Sequence, residues 1–322
     1  MIRPIRYRDL AAINSLHRVS TSAELDWHGG IPATWPSTHG TLIESLLPAR
    51  SQHTYVLEEG GQIFGFVQAR PRSSYDKWDI IRLVATGDRP ADVWQRLLEY
   101  VCVAAGNRRV TKLFANVPEE AEELEIFRQI GFYRFTTEVS LSLPLSERGV
   151  VPPQPAPLRL AEPRDAFPLL QLYSSATPRN VQQAEGLTSR DFATPGGFMS
   201  SWLQRVGLAQ ESPDTIWSWV AEDAGKIFAW FRLRWREGRC RMSFLIHPDR
   251  RSDFPELRDY IVGTARATRP CILGTQVRDY EQEMIPLFEE VGFQCSGRSL
   301  LLVKHIAVQV MERRLTPVLT RA

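Results

Sequence analysis

The chain has 322 residues, about twice the length of a typical domain, which predicts two domains. Apolar residues make up 43% and charged residues 24%, which is typical of a globular protein and excludes a disordered or fibrous one. The 39 basic and 37 acidic side chains are scattered and give a formal net charge of +2, so nucleic acid and membrane are excluded as principal partners. No stretch has the apolar length needed to cross a bilayer, and a cytoplasmic location is expected.

The four cysteines form no CxxC pair and lie inside apolar runs, at Cys102, Cys240, Cys271 and Cys295. Free cysteine is among the most buried residue types, so these four are predicted to be reduced and to lie in the core. Neither a disulfide nor a metal site is predicted from them.

The first part of the chain predicts mixed strands and helices. A strand at 2–6 leads into a helix that begins near Asp9, whose side chain can cap it. Two β-rich runs around the Gly60-Gly61 turn predict a hairpin. The other predicted elements are a helix at 42–47, a strand at 77–85, a helix at 90–105, a strand at 112–117, a helix at 119–130 and a strand at 132–143.

Five prolines fall within the segment "PLSERGVVPPQPAP", residues 144–157. Proline is excluded from helix interiors and from central strands, so this segment predicts a linker. The linker divides the chain into an N-terminal domain at 1–143 and a C-terminal domain at 158–322.

The second part of the chain repeats the first. "EIFRQIGFYRF" at 125–135 has the outline of "PLFEEVGFQCS" at 286–296, and other matched pairs lie at similar offsets along the chain. Elements recurring in the same order indicate a duplicated domain. The predicted repeat comprises a strand at 157–160, helices at 165–173 and 198–206, a hairpin at 216–235, a strand at 240–246, a helix at 254–267, a strand at 271–277, a helix at 280–291 and a strand at 298–306.

This order of elements, with Gly-Phe closing the last helix of each unit, resembles the GCN5-related N-acetyltransferase (GNAT) superfamily over nearly the whole chain. The resemblance implies an α/β fold of two tandem acyl-CoA N-acyltransferase domains, each with a mixed sheet splayed between its fourth and fifth strands. Acyl-CoA would lie in that gap, where it pairs with the fourth strand. The final strand of one unit is expected to support the other.

The usual GNAT cofactor signature is Arg or Gln followed by Gly-x-Gly-x-Gly, because glycine lets the backbone approach phosphate closely. Arg89 and Arg251 match the first residue of this signature. Other residues hold the glycine positions: Pro90, Asp92 and Trp94 in the first unit, and Ser252, Phe254 and Glu256 in the second. The resemblance implies acetyl-CoA as co-substrate, held by Val84, Gly87, Asp88, Arg89, Ile246 and Arg251.

The last helix of each unit departs from the family at the residue that protonates the leaving thiolate. In many family members this residue is Tyr, and here Phe127 and Phe288 stand in its place, four residues before the glycine. Phenylalanine cannot donate a proton. Eleven residues before each glycine, where the family often has Asn, stand Glu120 and Glu281.

Acetyl transfer to an amine needs a base, and the candidates for it are Glu58, Asp79 and His247, with Glu222 as a further one. His247 directly precedes Pro248, where the strand would open onto the cofactor. The alternative for each is a solvated charge at a strand end. The tryptophans around the second hairpin, Trp217 to Trp235, predict core packing or, alternatively, an aromatic substrate wall.

Two classes of function follow. The first is an acyl-CoA-dependent N-acetyltransferase acting on an amine of a small molecule or peptide, with one half non-catalytic. The Gly87-Asp88 turn favours the first half for cofactor binding, whereas His247 and Arg251 make the second strand end more like the family's. The second class is a non-catalytic binding or dimerisation scaffold, and the sequence leaves a homodimer open.

Overall fold

The computed structural model describes residues 1–19, 53–72, 76–146, 149–193, 215–236, 239–268 and 271–307. The predicted helices at 42–47 and 198–206 lie outside the described residues. Within the described part, no helix combines the length and the apolar character that crossing a membrane requires.

The first unit contains six strands and three helices among its described residues. The strands are β1 (Ile2–Pro4), β2 (His53–Glu59), β3 (Gln62–Pro71), β4 (Lys77–Ala85), β5 (Lys112–Pro118) and β6 (Tyr133–Leu145). The helices are α1 (Leu10–Val19), α2 (Pro90–Asn107) and α3 (Glu123–Gln129). The hairpin prediction is confirmed, since Gly60 and Gly61 turn the chain between β2 and β3 with φ of 57° and 83°.

The second unit repeats this order and adds two short helices. Its strands are β7 (Leu158–Leu160), β8 (Thr215–Asp223), β9 (Lys226–Arg236), β10 (Arg239–Ile246), β11 (Cys271–Arg278) and β12 (Gln294–His305). Its helices are α4 (Ala166–Ala176), α5 (Arg179–Glu185), α6 (Ser189–Phe192), α7 (Phe254–Thr268) and α8 (Met284–Glu289). The sequence did not predict α5 and α6, because segments of seven and four residues are too short to show a helical period.

The strands form one 12-stranded sheet in the order β1-β2-β3-β4-β5-β12-β6-β11-β10-β9-β8-β7. The last strands of the two units are exchanged. β12 ends the second unit but lies between β5 and β6 of the first, and β6 lies between β12 and β11. The expectation that the final strand of one unit supports the other is confirmed, in both directions.

The start of the predicted linker belongs to this exchanged strand. Pro144 and Leu145 extend β6 and pair with Ile272 and Cys271 of β11. Proline is tolerated there because the pairing of β6 with β12 ends at Ser142, so this end of the strand is paired on one side only. The linker prediction was therefore wrong for its first two residues, and the division into two domains stays a prediction.

The splay expected between the fourth and fifth strands is present in both units. β4 pairs with β5 only over Lys77–Ile80, and β10 pairs with β11 only over Arg239–Met242. Beyond those residues the parallel strands diverge, which leaves one edge of β4 and of β10 without a neighbouring strand.

The Gly-Phe repeat closes two equivalent apolar cores. Phe127 and Phe288 have no exposed surface, and their rings meet Phe132 and Phe293 edge to face at 5.0 and 5.1 Å between centroids. Gly131 adopts a φ of 92° at the end of its helix, a conformation that favours glycine. The cysteines follow the core prediction less closely, since Cys295 is exposed.

We expect residues 1–146 expressed alone to fail to form a stable monomer, because removing β12 leaves an empty position between β5 and β6. Unpaired strand edges promote aggregation. Size-exclusion chromatography and circular dichroism would show association or loss of cooperative unfolding, and co-expression with residues 149–322 should restore a soluble complex. A monomeric fragment that unfolds cooperatively would contradict the prediction.

Candidate functional site

A cavity of about 480 Å³ lies beside the gap where β10 and β11 diverge. Consecutive residues of β10, from Arg241 to Leu245, line it, together with side chains of β9, β11 and helices α4 to α6. The first unit contributes Arg70, Pro71, Arg72, Asp79 and Glu138. A volume of this size is in the range of small-molecule sites.

Charged side chains dominate the cavity wall. The arginines that line it are Arg70, Arg72, Arg232, Arg234, Arg241 and Arg278. The carboxylates are Asp79, Glu138, Glu185, Asp191 and Glu281. Buried charges are costly unless they are paired, so the partners of each group decide what the cavity can bind.

Three of the arginines share one face of the second hairpin and its neighbour. Arg232 and Arg234 alternate along β9 and therefore point to the same side of the sheet. Arg241 of β10 lies directly opposite Arg234, and Ser243 lies opposite Arg232. The strands thus concentrate positive charge on the sheet face that lines the cavity.

Arg232 lies above an aromatic ring. Its guanidinium carbon is 4.7 Å from the centroid of the Trp230 ring, and the Trp230 indole donates a hydrogen bond to Ser218 Oγ at 2.8 Å. Burial and the nearby Arg234 lower the pKa of Arg232 to about 10. The core interpretation of the tryptophans is confirmed for Trp219, Trp230 and Trp235, which are 4%, 7% and 0% exposed, and Trp230 also lines the cavity.

A buried network holds the opposite wall. Tyr173 donates its hydroxyl to Glu185 Oε2 at 2.6 Å, and Arg278 Nη2 donates to Glu185 Oε1 at 2.6 Å. Burial would raise the pKa of Glu185, but Arg278 and Tyr173 hold it below its usual value. Lys112 of the first unit fixes the end of α5 by donating hydrogen bonds to the carbonyls of the two residues before Glu185, at 2.6 and 2.9 Å.

Glu281 is the cavity carboxylate best suited to accept a proton. It lies in the 3-10 turn Asp279–Glu281 after β11 and is 7% exposed. Burial raises its pKa to about 7. Burial also raises the pKa of Glu138, which accepts a hydrogen bond from Asn116 at 3.3 Å. A carboxyl group that titrates near neutrality can act as a general base.

Glu58 and Glu222 have structural partners rather than a place in this cavity. Glu58 accepts from Arg3 Nε at 2.6 Å, and Arg3 also pairs with the buried Asp9. The second unit repeats this arrangement, with Arg159 joining Asp165 at 2.8 Å and Glu222 at 2.7 Å. The same ion-paired cluster in both units ties the first strand to the β2–β3 or β8–β9 hairpin.

The structure separates the other two predicted bases. Asp79 lines the cavity but is 5% exposed and pairs with Arg72 at 2.7 Å. His247 does not line it. Its Nδ1 accepts a hydrogen bond from the Asp249 amide at 3.3 Å and so caps the 3-10 helix Pro248–Asp253.

The predicted cofactor residues lie at the ends of the two splayed strands. Val84 and Ile246 are 6% and 3% exposed, and Gly87 turns the chain before α2 with a φ of 99°. Asp88 follows in the same turn. Arg89 is the N-cap residue of α2, and its side chain is 85% exposed.

Arg251 forms an ion pair with Glu283, and its buried Nε has no hydrogen-bond partner among the described residues. An unsatisfied donor beside the splay of β10 fits an anionic ligand. The splayed edge of β10 likewise fits a ligand that pairs as a strand would. No cluster of three or more metal-ligating side chains occurs within the described ranges.

Sequence reasoning missed the arginine face and the network around Glu185. The signal for the arginines was present in "FRLRWR" of β9, where arginine alternates with apolar residues in a strand that also pairs on both sides. Alternation places every second residue on one face, so arginines there must line a polar space. Nothing in the sequence pattern marks Glu185, because its partners come from other elements.

Solved structures with this architecture match along nearly the whole chain. The tandem GNAT protein from the clavulanic acid biosynthesis pathway superposes with a TM-score of 0.57 at 16% identity, covering 96% of this chain and 99% of that one. A GCN5-related N-acetyltransferase from Sphaerobacter thermophilus gives 0.62 at 15% identity, covering 96% of each chain. The chain has the tandem GNAT fold.

A putative acetyltransferase from Pyrococcus horikoshii shows the same fold, with a TM-score of 0.50 at 12% identity over 96% of this chain and 91% of that one. No protein-family model matches the sequence, and a search of curated proteins found no match. At these identities the likeness establishes the GNAT fold. The activity must be argued from the residues at the site.

We expect Glu281→Gln to stabilise the protein in a pH-dependent way. The folded-state pKa of about 7 lies above the ordinary 4.5, so stability present at low pH is lost as the pH rises between these values. The variant should gain about 3 kcal/mol in free energy of unfolding near pH 8 but under about 1 kcal/mol near pH 5. Urea denaturation at both pH values measures this.

Glu120→Gln is the matched control, because Glu120 occupies the equivalent position in the first unit and is exposed. It should change stability by no more than about 0.5 kcal/mol at either pH. An equal gain for Glu281→Gln at both pH values would show that the carboxyl is not titrating as described.

Proposed function

We propose that the protein is an acyl-CoA-dependent N-acyltransferase whose active site is the cavity beside β10 and β11. The observation that carries the proposal is that consecutive residues of the splayed part of β10 line the cavity. An acyl-CoA in the gap and an amine in the cavity would therefore meet at the same strand. The tandem GNAT fold supports this reading of the gap.

The amine nitrogen would bond to the acyl carbon of acyl-CoA as the C–S bond breaks and CoA leaves as its thiolate, and the chain's own residues would orient the amine and take up its proton. An amine attacks only when it is neutral, so a base is required. Glu281 fits this role because its pKa of about 7 lets it take up a proton near neutrality. The backbone N–H at the end of β10, near Ile246, is the candidate donor for the developing oxyanion.

The first unit supports the site without forming the main part of it. Its strand β6 pairs with β11 of the second unit, and it contributes five of the residues that line the cavity, among them Asp79 and Glu138. The sequence favoured the first half for cofactor binding, but Arg89 is almost fully exposed and its neighbour Asp92 adds negative charge to the helix start. The cavity therefore supports the second unit as the catalytic one, and its volume supports a small-molecule amine.

Calorimetric titration of the full chain with acetyl-CoA and with CoA tests the binding step. We expect both to bind and to raise the melting temperature, since a ligand of the folded state stabilises it. Arg251→Glu should weaken binding at least about tenfold, because it replaces an attractive contact with a repulsive one. Arg89→Glu should leave affinity unchanged. Absence of both heat and thermal stabilisation at millimolar ligand would end the transferase proposal.

Release of free thiol from acetyl-CoA in the presence of a panel of small amines tests the chemical step. Glu281→Gln should lower kcat/KM by about 10²-fold or more, and the fall in wild-type rate below pH about 7 should disappear in the variant. Glu120→Gln should keep the wild-type rate and pH profile. A Glu281→Gln variant with the wild-type rate would remove Glu281 from the reaction.

A further inference from the structure

We infer that Arg232, together with Arg234 and Arg241, forms a binding site for the carboxylate or phosphate group of a small molecule. The inference rests on the proposed function only in taking the molecule that carries this anionic group to be the acceptor amine. The anion site itself is argued from the cavity and is tested without any acyl-CoA. Substrate anions are commonly held by arginine, whose planar fork matches carboxylate and phosphate oxygens.

Arg232 lines the cavity and has no charge partner among the residues that the structure describes. No carboxylate of the described ranges forms an ion pair with it, and its Nε is buried without a hydrogen-bond partner. The Trp230 ring packs against the face of the Arg232 guanidinium. The N–H donors at the edge of the guanidinium therefore point away from the ring. A buried donor that has no partner among the described residues is well placed to bind an acceptor from a ligand.

The acids that line the cavity do not neutralise Arg232. Asp79 pairs with Arg72, and Glu185 pairs with Arg278. Burial raises the pKa of Glu138, and it raises the pKa of Glu281 to about 7, so Glu281 carries only part of a negative charge near neutrality. The Arg232 guanidinium therefore presents a positive charge to the cavity that a ligand anion can balance.

The first unit shows that the fold does not require arginine at this position. Gln68 holds the equivalent place in the sheet, since it pairs with Thr54 on one side and Arg82 on the other, as Arg232 pairs with Ser218 and Ser243. Gln68 has no exposed surface and donates to Thr54 Oγ1 at 3.1 Å. The same strand position thus packs as a neutral amide in one unit and carries a charge beside a cavity in the other.

The test titrates the full chain, without acyl-CoA, with inorganic phosphate and separately with glutarate at low ionic strength. We expect at least one of them to bind at millimolar concentration, and the tighter one identifies the anion that the site prefers. Arg232→Gln, which copies the first unit, should weaken that binding at least about tenfold, the usual effect of losing a charged hydrogen bond. The control is Arg96→Gln, which removes an exposed arginine of α2 that does not line the cavity and should keep the affinity for the anion within about twofold.

A second variant keeps the test decisive if Arg232→Gln does not fold. Ser243→Asp places a carboxylate directly across the strand pair from Arg232, where it can occupy the guanidinium in place of the ligand. It should abolish phosphate and glutarate binding while the circular dichroism spectrum stays that of the wild type. Anion binding that survives Ser243→Asp or Arg232→Gln, or no binding of either anion to the wild type, would overturn the inference.

A set of matched amines links the site to the transfer reaction. 4-Aminobutyrate and O-phosphoethanolamine carry an anion, whereas 1,4-diaminobutane carries a second cation in its place. We expect acetylation of an anionic amine at least about tenfold above the diamine, with the difference lost in Arg232→Gln. Preference for the diamine would overturn the inference. Anion binding that Arg232→Gln removes, with no acetylation of any amine, would support the anion site and contradict the transferase proposal.

Discussion

The backbone pairing of the exchanged strands is the interaction on which the rest of the structure depends. β6 is hydrogen-bonded between β12 and β11, and β12 between β5 and β6, so neither unit completes its sheet with its own chain segment. Unpaired central strands are costly and prone to association, which couples the folding of the two halves. The continuous sheet then presents one surface on which side chains from both units can meet.

That coupling explains how two similar units come to share one candidate site. The pairing of β6 with β11 places Glu138 of the first unit directly opposite Arg278 of the second. Lys112 of β5 fixes the end of α5, and the next residue, Glu185, bridges Tyr173 and Arg278. The first unit therefore acts as a wall and a support for a cavity that opens at the splay of the second. Equal folds thus carry unequal roles, and the difference lies in side chains such as Gln68 and Arg232.

Much of the fold could be predicted from the sequence, because strands, hairpin turns and the Gly-Phe corners have local signatures. The candidate site was predicted less well. Glu58 and His247 are charged or polar residues at strand ends, but the structure shows one in an ion-paired cluster and the other as a helix cap. A residue type at a strand end does not reveal which partner will reach it. Only Asp79 of the three predicted bases lines the cavity, and its carboxylate is already paired.

The sequence by itself determined the duplicated α/β units and the replacement of the tyrosine proton donor by Phe127 and Phe288. It also determined that these two residues keep the last helix of each unit apolar. Each of these features depends on residues close together in the chain. Only the tertiary structure decided that the terminal strands are exchanged, that Glu281 is buried with a pKa raised to about 7, and that Arg232 faces a cavity with no carboxylate partner within the described ranges. These features arise from segments far apart in the sequence, such as Glu138 and Arg278, which meet only when the strands pair. Burial and charge partnership are properties of that assembled surface, and they set the chemistry of the site.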